Sequence, residues 1–127
     1  MLTSKLNDYI RGWIIGDFEP CIFRTKDFEV GVLTHKKGEI KPPHIHKLST
    51  EYNVLLKGKV IIQGKELNTG DVFVLKKGEV ADPNFLEDCT FLCVKVPSIP
   101  DDKYDVWKPI SKYIKEIMLY VYLLFLY

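Results

Sequence analysis

Apolar and polar positions alternate along most of this chain in short runs, each closed by a cluster of turn-forming residues. That period belongs to half-buried β-strands. Runs rich in β-branched and aromatic residues predict strands at 13–15, 21–23, 28–35, 51–56, 60–62, 72–75 and 90–96. Between them lie Gly16-Asp17, Lys26-Asp27, Lys36-Lys37-Gly38, Lys57-Gly58-Lys59, Gln63-Gly64-Lys65, Asn68-Thr69-Gly70-Asp71 and Lys76-Lys77-Gly78. Strands so regularly spaced predict an all-β sandwich or barrel. No helical period of useful length precedes residue 110, and no internal repeat or low-complexity stretch is visible.

The pattern changes near the C-terminus. A polar, proline-bearing exit at 98–103 closes a single barrel domain over residues 1–103, leaving 104–127 as an apolar C-terminal extension. Ser111 is a candidate cap for a helix starting at Lys112. Residues 117–127 are apolar all round, with no polar face to show to water. A bilayer span takes about 20 such residues, so a full membrane span is not expected. Three placements compete. The tail packs on the barrel or on a second subunit, it lies in a membrane interface beside Lys108, Lys112 and Lys115, or it forms a strand that pairs with a sheet edge. The first is preferred, with a homodimer as its consequence, because interfacial helices keep a charged face that this one lacks.

The chain has 127 residues and a net charge of +1 with Lys and Glu well mixed. A single domain of this size buries about two-thirds of the surface of its unfolded chain, enough for a core without staples. With no basic stripe to follow phosphates, nucleic acid is not an expected partner. Cys21, Cys89 and Cys93 are odd in number, and Cys89 and Cys93, four apart on one strand, stand roughly 13 Å apart, too far to bridge. They read as small buried hydrophobes in a reducing compartment. Residues 1–8 lack the apolar run of a signal peptide, so the expected location is the cytoplasm.

The chemistry centres on His44-Ile45-His46, followed by Glu51 and bracketed by Gly38 and Gly58. Residues i and i+2 of a strand share a face, so both imidazoles point the same way. After a short polar bend at 47–50, Glu51 opens the next strand and can swing back toward them. An H-x-H pair alone is weak evidence, since a strand histidine is more often hydrogen-bonded than a ligand; the glutamate and the glycines strengthen it. Two imidazoles and one carboxylate on one side of an ion leave open positions and suit a divalent metal: iron, manganese, nickel, copper or zinc. By parity with Glu51, Asn53 and Leu55 line the same pocket. Asn53 either orients a ligand or is a solvated polar residue, and His35, among lysines at a strand end, reads as a surface or rim residue. Trp13, Phe28, Tyr52 and Phe73 read as packing residues.

Residues 38–58 resemble the first conserved motif of the cupin superfamily, G-x5-H-x-H-x4-E-x6-G, matched at every fixed position. The second motif, G-x5-P-x-G-x2-H-x3-N, is matched in part: Gly70 and Gly78 are in place, while Lys76, Ala81 and Phe85 replace its proline, histidine and asparagine. The resemblance covers residues 13–96. It implies a double-stranded β-helix, or jelly-roll, barrel. It also implies a metal held by His44, His46 and Glu51. For the vacant fourth position, Asp82 stands one residue beyond Ala81, where a bulge could re-aim its carboxylate, although Asp82-Pro83-Asn84 is also a good turn. The function implied is a divalent-metal-dependent enzyme acting on a small polar molecule, with a non-catalytic ligand-binding or sensing module as the alternative. Oxygenase-like chemistry is favoured over isomerisation because the sequence shows no acid–base pair outside the ligand set.

Overall fold

The computed structural model describes residues 1–106 and 108–126, with the side chains of 108–115 left undescribed. Eleven strands run along the chain: β1 Trp13–Gly16, β2 Phe23–Arg24, β3 Glu29–His35, β4 His44–Ile45, β5 Thr50–Lys57, β6 Lys59–Ile62, β7 Lys65–Asn68, β8 Val72–Leu75, β9 Asn84–Phe85, β10 Cys89–Val96 and β11 Tyr104–Asp105. Helix α1, Lys108–Phe125, follows. The strands form a six-stranded sheet in the order β2-β1-β3-β10-β5-β8, a three-stranded sheet β7-β6-β9 and a two-stranded sheet β11-β4. This is the expected double-stranded β-helix barrel.

Register decides what the barrel encloses. On β10, Cys89, Phe91, Cys93 and Lys95 stand beside His35, Leu33, Gly31 and Glu29 of β3. The last three of these β10 residues also stand beside Leu55, Asn53 and Glu51 of β5. Directly opposed residues share a face, so these side chains point inward together. The inner face is graded. Leu55, Phe91 and Cys89 join Val60, Ile62, Leu67, Leu75, Ala81 and Phe85 in one buried apolar cluster, each large member stabilising the fold by about 1.5–3 kcal/mol. Glu29, Lys95, Glu51, Asn53 and Cys93 occupy the other end.

Four strands escape the sequence pattern. β4, β9 and β11 are two residues long, too short to show alternation, and β7 carries a single apolar residue, Leu67. Because β11 pairs with β4, the sheet structure runs to Asp105, past the expected boundary at 103. The tail is helical rather than a strand, and it begins at Lys108 rather than at Lys112. Its described side chains at 116–126 are exposed, Phe125 at 87%, so of the two expected placements, on the barrel or on a second subunit, this part of the helix does not take the first. No helix among the described residues is long and apolar enough to cross a membrane.

Gly58 joins β5 to β6 at a φ of +111°, and a Cβ there would stand 2.5 Å from the Asp88 carbonyl oxygen and 2.7 Å from Cys89 Sγ. Gly38 has a φ of +74° but open space around it. Urea unfolding should therefore separate two alanine variants. Gly38→Ala costs about 1 kcal/mol of backbone strain, whereas Gly58→Ala adds a clash with main chain and costs about 3 kcal/mol or more.

Candidate metal centre

The histidine strand is held by the segment that carries the degenerate second motif. His44 N donates to the Ala81 carbonyl at 3.0 Å, Ala81 N donates back to the His44 carbonyl at 2.8 Å, and Gly78 N donates to the His46 carbonyl at 2.8 Å. Both imidazoles are buried, His44 at 9% and His46 at 6% exposure. The bend from β4 to β5 wraps around one carboxylate. Asp102 Oδ1 accepts the backbone N–H of Lys47 at 3.0 Å, and its Oδ2 accepts those of Leu48 and Ser49, both at 2.9 Å. Three donors hold the Asp102 carboxyl below its ordinary value although burial pushes it up.

The same residue orients His46, whose Nδ1 donates to the Asp102 carbonyl. With that proton on Nδ1, the neutral ring presents a lone pair at Nε2. Nε2 lies 3.0 Å from Glu51 Oε1, yet the two are not aligned as a hydrogen bond, and Nε2 has no partner. His44 Nδ1 and Asn53 Nδ2 are likewise buried without one. Buried polar atoms are rarely left so, and three around one space point to a missing ligand.

The donor set fits a divalent ion. Two donors bound side by side at about 2.1 Å stand about 3.0 Å apart, and two imidazoles on one ion have ring centres about 4.5–5.2 Å apart. His44 and His46 have centroids 5.2 Å apart and planes at 84°. Among the described residues no three His, Cys, Asp or Glu side chains are already gathered in a metal-holding arrangement; His46 and Glu51 form one edge, with His44 beside them.

Electrostatics favour ligand-ready protonation states. Burial above all, then Lys103 and His46, pushes His44 down to about 4, so it is neutral at physiological pH. Burial raises the Glu51 carboxyl, but His46, Lys95 and His44 outweigh it and hold the group below its ordinary value. Cys93, inward next to Asn53, is pushed well up by burial and then by Glu51, so it stays a thiol. Lys95 is itself held: Nζ lies 3.4 Å from Glu29 Oε2 and 4.9 Å from the Trp13 ring centre, while Ser98 Oγ donates to Glu29 Oε1 at 3.1 Å.

Of the expected site residues, His44, His46, Glu51 and Asn53 converge on a cavity of about 1100 Å³. Asn53 is 5% exposed, not solvated. Asp82 is not brought in. Ala81 is in register with His44, so no bulge intervenes and the next side chain points outward, exposed, with Asp82 Oδ1 accepting Gln63 N at 2.7 Å. Ala81 faces the cavity at the vacant position without a donor atom. Leu55 lies in the core at 0% exposure rather than on the cavity wall. His35, expected as a surface or rim residue, is half-buried on the cavity wall: it stacks on Phe85 at 4.5 Å, and its Nδ1 lies 2.6 Å from Glu39 Oε2. Trp13 and Phe73 also line the cavity, and Tyr52 is half exposed. Sequence reasoning missed Lys95, Glu29 and Asp102; only the inward parity of Lys95 and Glu29 on their strands could have flagged the first two.

Comparison with solved structures identifies the class. An uncharacterized conserved protein with a double-stranded beta-helix domain from Klebsiella pneumoniae matches with a TM-score of 0.60 at 18% identity, over 82% of this chain and 96% of that one. The DMSP lyase DddQ from Ruegeria pomeroyi matches with a TM-score of 0.63 at 17% identity, over 75% of this chain and 50% of that one. Bacillus subtilis oxalate decarboxylase, studied for its Mn(II) centers, matches with a TM-score of 0.54 at 16% identity, over 64% of this chain and 24% of that one. The chain has the double-stranded β-helix fold. No protein-family model and no curated protein matches it.

Asp102→Ala should leave three N–H groups, that of Ser49 buried, without their acceptor and destabilise the metal-free protein by about 2–3 kcal/mol in urea unfolding. The carboxyl is lowered in the folded state, so its contribution is full above about pH 4 and is lost as pH falls through the lower folded value. The gap between wild type and variant should therefore narrow in acid.

Proposed function

We propose that this chain is a divalent-metal-dependent enzyme acting on a small polar molecule, with His44, His46 and Glu51 as the metal ligands. The observation that carries the reading is the pair of buried, partnerless nitrogens, His44 Nδ1 and His46 Nε2, beside the Glu51 carboxylate. A divalent ion bound there supplies Lewis-acid or oxygen-activating chemistry, and iron, manganese, nickel, copper and zinc all accept this donor set. The fold shared with a lyase and with a decarboxylase studied for its Mn(II) centers supports the reading. Three protein ligands leave room for substrate. Asn53 Nδ2 is a free donor to orient it, Lys95 supplies a fixed positive charge near Glu51, and Phe73, Leu75 and Phe91 form a wall that excludes water.

Oxygen-dependent chemistry needs no further base. A proton-transfer reading also has a specific observation behind it, because His35 and Glu39 form an acid–base pair at 2.6 Å on the cavity wall. Burial, the largest influence, lowers His35, which favours the neutral ring that can accept a proton.

Full-length protein purified without added metal should carry about one equivalent of metal by elemental analysis. His46→Ala should lose it, and Asp82→Ala should keep it. Ala81→His, which restores a nitrogen opposite His44, should bind at least as tightly. Equal trace metal in wild type and His46→Ala would sink the assignment.

The exposed apolar helix supports a homodimer in which a second copy covers it. A chain ended after Val106 keeps β11 and should elute from size-exclusion chromatography as a monomer; an unchanged number of copies would rule this contact out.

A further inference from the structure

The charged groups on the cavity wall are unevenly partnered. Arg11, Lys41, Lys95 and Lys103 line it together with Glu39, Glu51, Asp101 and Asp102. Most of the acids are already engaged. Glu39 pairs with His35, Glu51 stands against His46, and the Asp102 carboxylate is used by three backbone N–H groups. Lys95 is matched by Glu29. That leaves Arg11, Lys41 and Lys103 with no carboxylate partner among the described residues, against the single acid Asp101. The three share one neighbourhood, since the Lys41 amine is pushed down first by burial and then by Lys103 and Arg11.

Their position is built rather than incidental. Arg11 has a left-handed φ of 53°, and Gly12 follows with a φ of +83° and no room for a side chain, a Cβ there falling 1.9 Å from the Val32 carbonyl oxygen. The backbone is jammed onto β3, which fixes Arg11 at the mouth. Deeper in the cavity, Asn53 Nδ2 is a buried donor without an acceptor. A cation cannot satisfy a donor. An anionic oxygen satisfies both the N–H group and the cations that lack a carboxylate partner.

We propose that the cavity takes a small organic carboxylate, bound at the mouth by Arg11, Lys41 and Lys103 and hydrogen-bonded deeper by Asn53 Nδ2. A carboxylate fits better than a phosphate, because among the described residues no glycine-rich loop or α-helix N-terminus lines the cavity to cradle one. This rests on the metal-centred reading only in placing the reacting end of the ligand near His44, His46 and Glu51.

Isothermal titration calorimetry of the full chain, metal-free and metal-loaded, tests it with acetate, malonate, succinate and glutarate against acetamide, malonamide, succinamide and inorganic phosphate. At least one carboxylate should bind tenfold or more tightly than its amide and than phosphate. Arg11→Ala combined with Lys103→Ala should weaken that binding at least tenfold, and Asn53→Ala should weaken it severalfold, while the distant Lys65→Ala leaves it unchanged. Circular dichroism on each sample confirms that the variants are folded. The proposal is overturned if no carboxylate saturates below 10 mM, if the amide or phosphate binds as well, or if the folded Arg11/Lys103 variant keeps wild-type affinity. Metal content measured on the same samples separates the two readings: protein that takes up no metal in the loaded arm yet still prefers the carboxylate defeats the metal assignment alone.

Discussion

The arrangement of His46 and Glu51 in the cavity depends on Asp102. Its side chain gathers the N–H groups of Lys47, Leu48 and Ser49, and its carbonyl accepts His46 Nδ1. One residue thereby shapes the bend that returns Glu51 to the histidines and selects the tautomer that turns the lone pair of His46 toward the site. It does so from the loop between β10 and β11, which connects the largest sheet to the strand paired with β4. A carboxylate with three N–H bonds is strongly held, so the bend is fixed before any ligand arrives.

The barrel interior puts this geometry in a medium where it matters. Apolar residues fill one end of the inner face and leave the other to Glu29, Lys95, Glu51, Asn53 and Cys93. Burial keeps His44 neutral and Cys93 protonated, so the donors that the candidate site offers are nitrogen and carboxylate, not thiolate. Burial also makes every unpartnered atom costly. That is why the free nitrogens of His44 and His46 and the free amide of Asn53 carry weight as signs of a ligand.

Parity explains what could be read in advance. His44 and His46 share a face by the two-residue period, and Glu51 and Asn53 share another by the same period, so one strand pattern located them all. The same rule excludes Asp82, which stands one residue from Ala81, and only a bulge could have rescued it. The backbone pairing of Ala81 with His44 leaves no bulge. Leu55 has the correct parity, but it sits further along the strand, where the apolar core has closed over the cavity. Parity tells which face a residue takes and not how deep it lies.

By itself, the sequence determined the alternation of strands and turns, the barrel they build and the convergence of His44, His46 and Glu51 on one cavity, because all of these follow from periods of a few residues. Only the tertiary structure decided the partners. The Asp102 contacts to 46–49, the Lys95 contact to Glu29 and the meeting of Arg11, Lys41 and Lys103 join residues that lie far apart in the chain. Such contacts depend on how the sheets register against one another, and no local pattern records that. The tail divides the same way: its apolar composition is plain in the sequence, while its form as a helix whose described side chains are exposed emerged only from the fold.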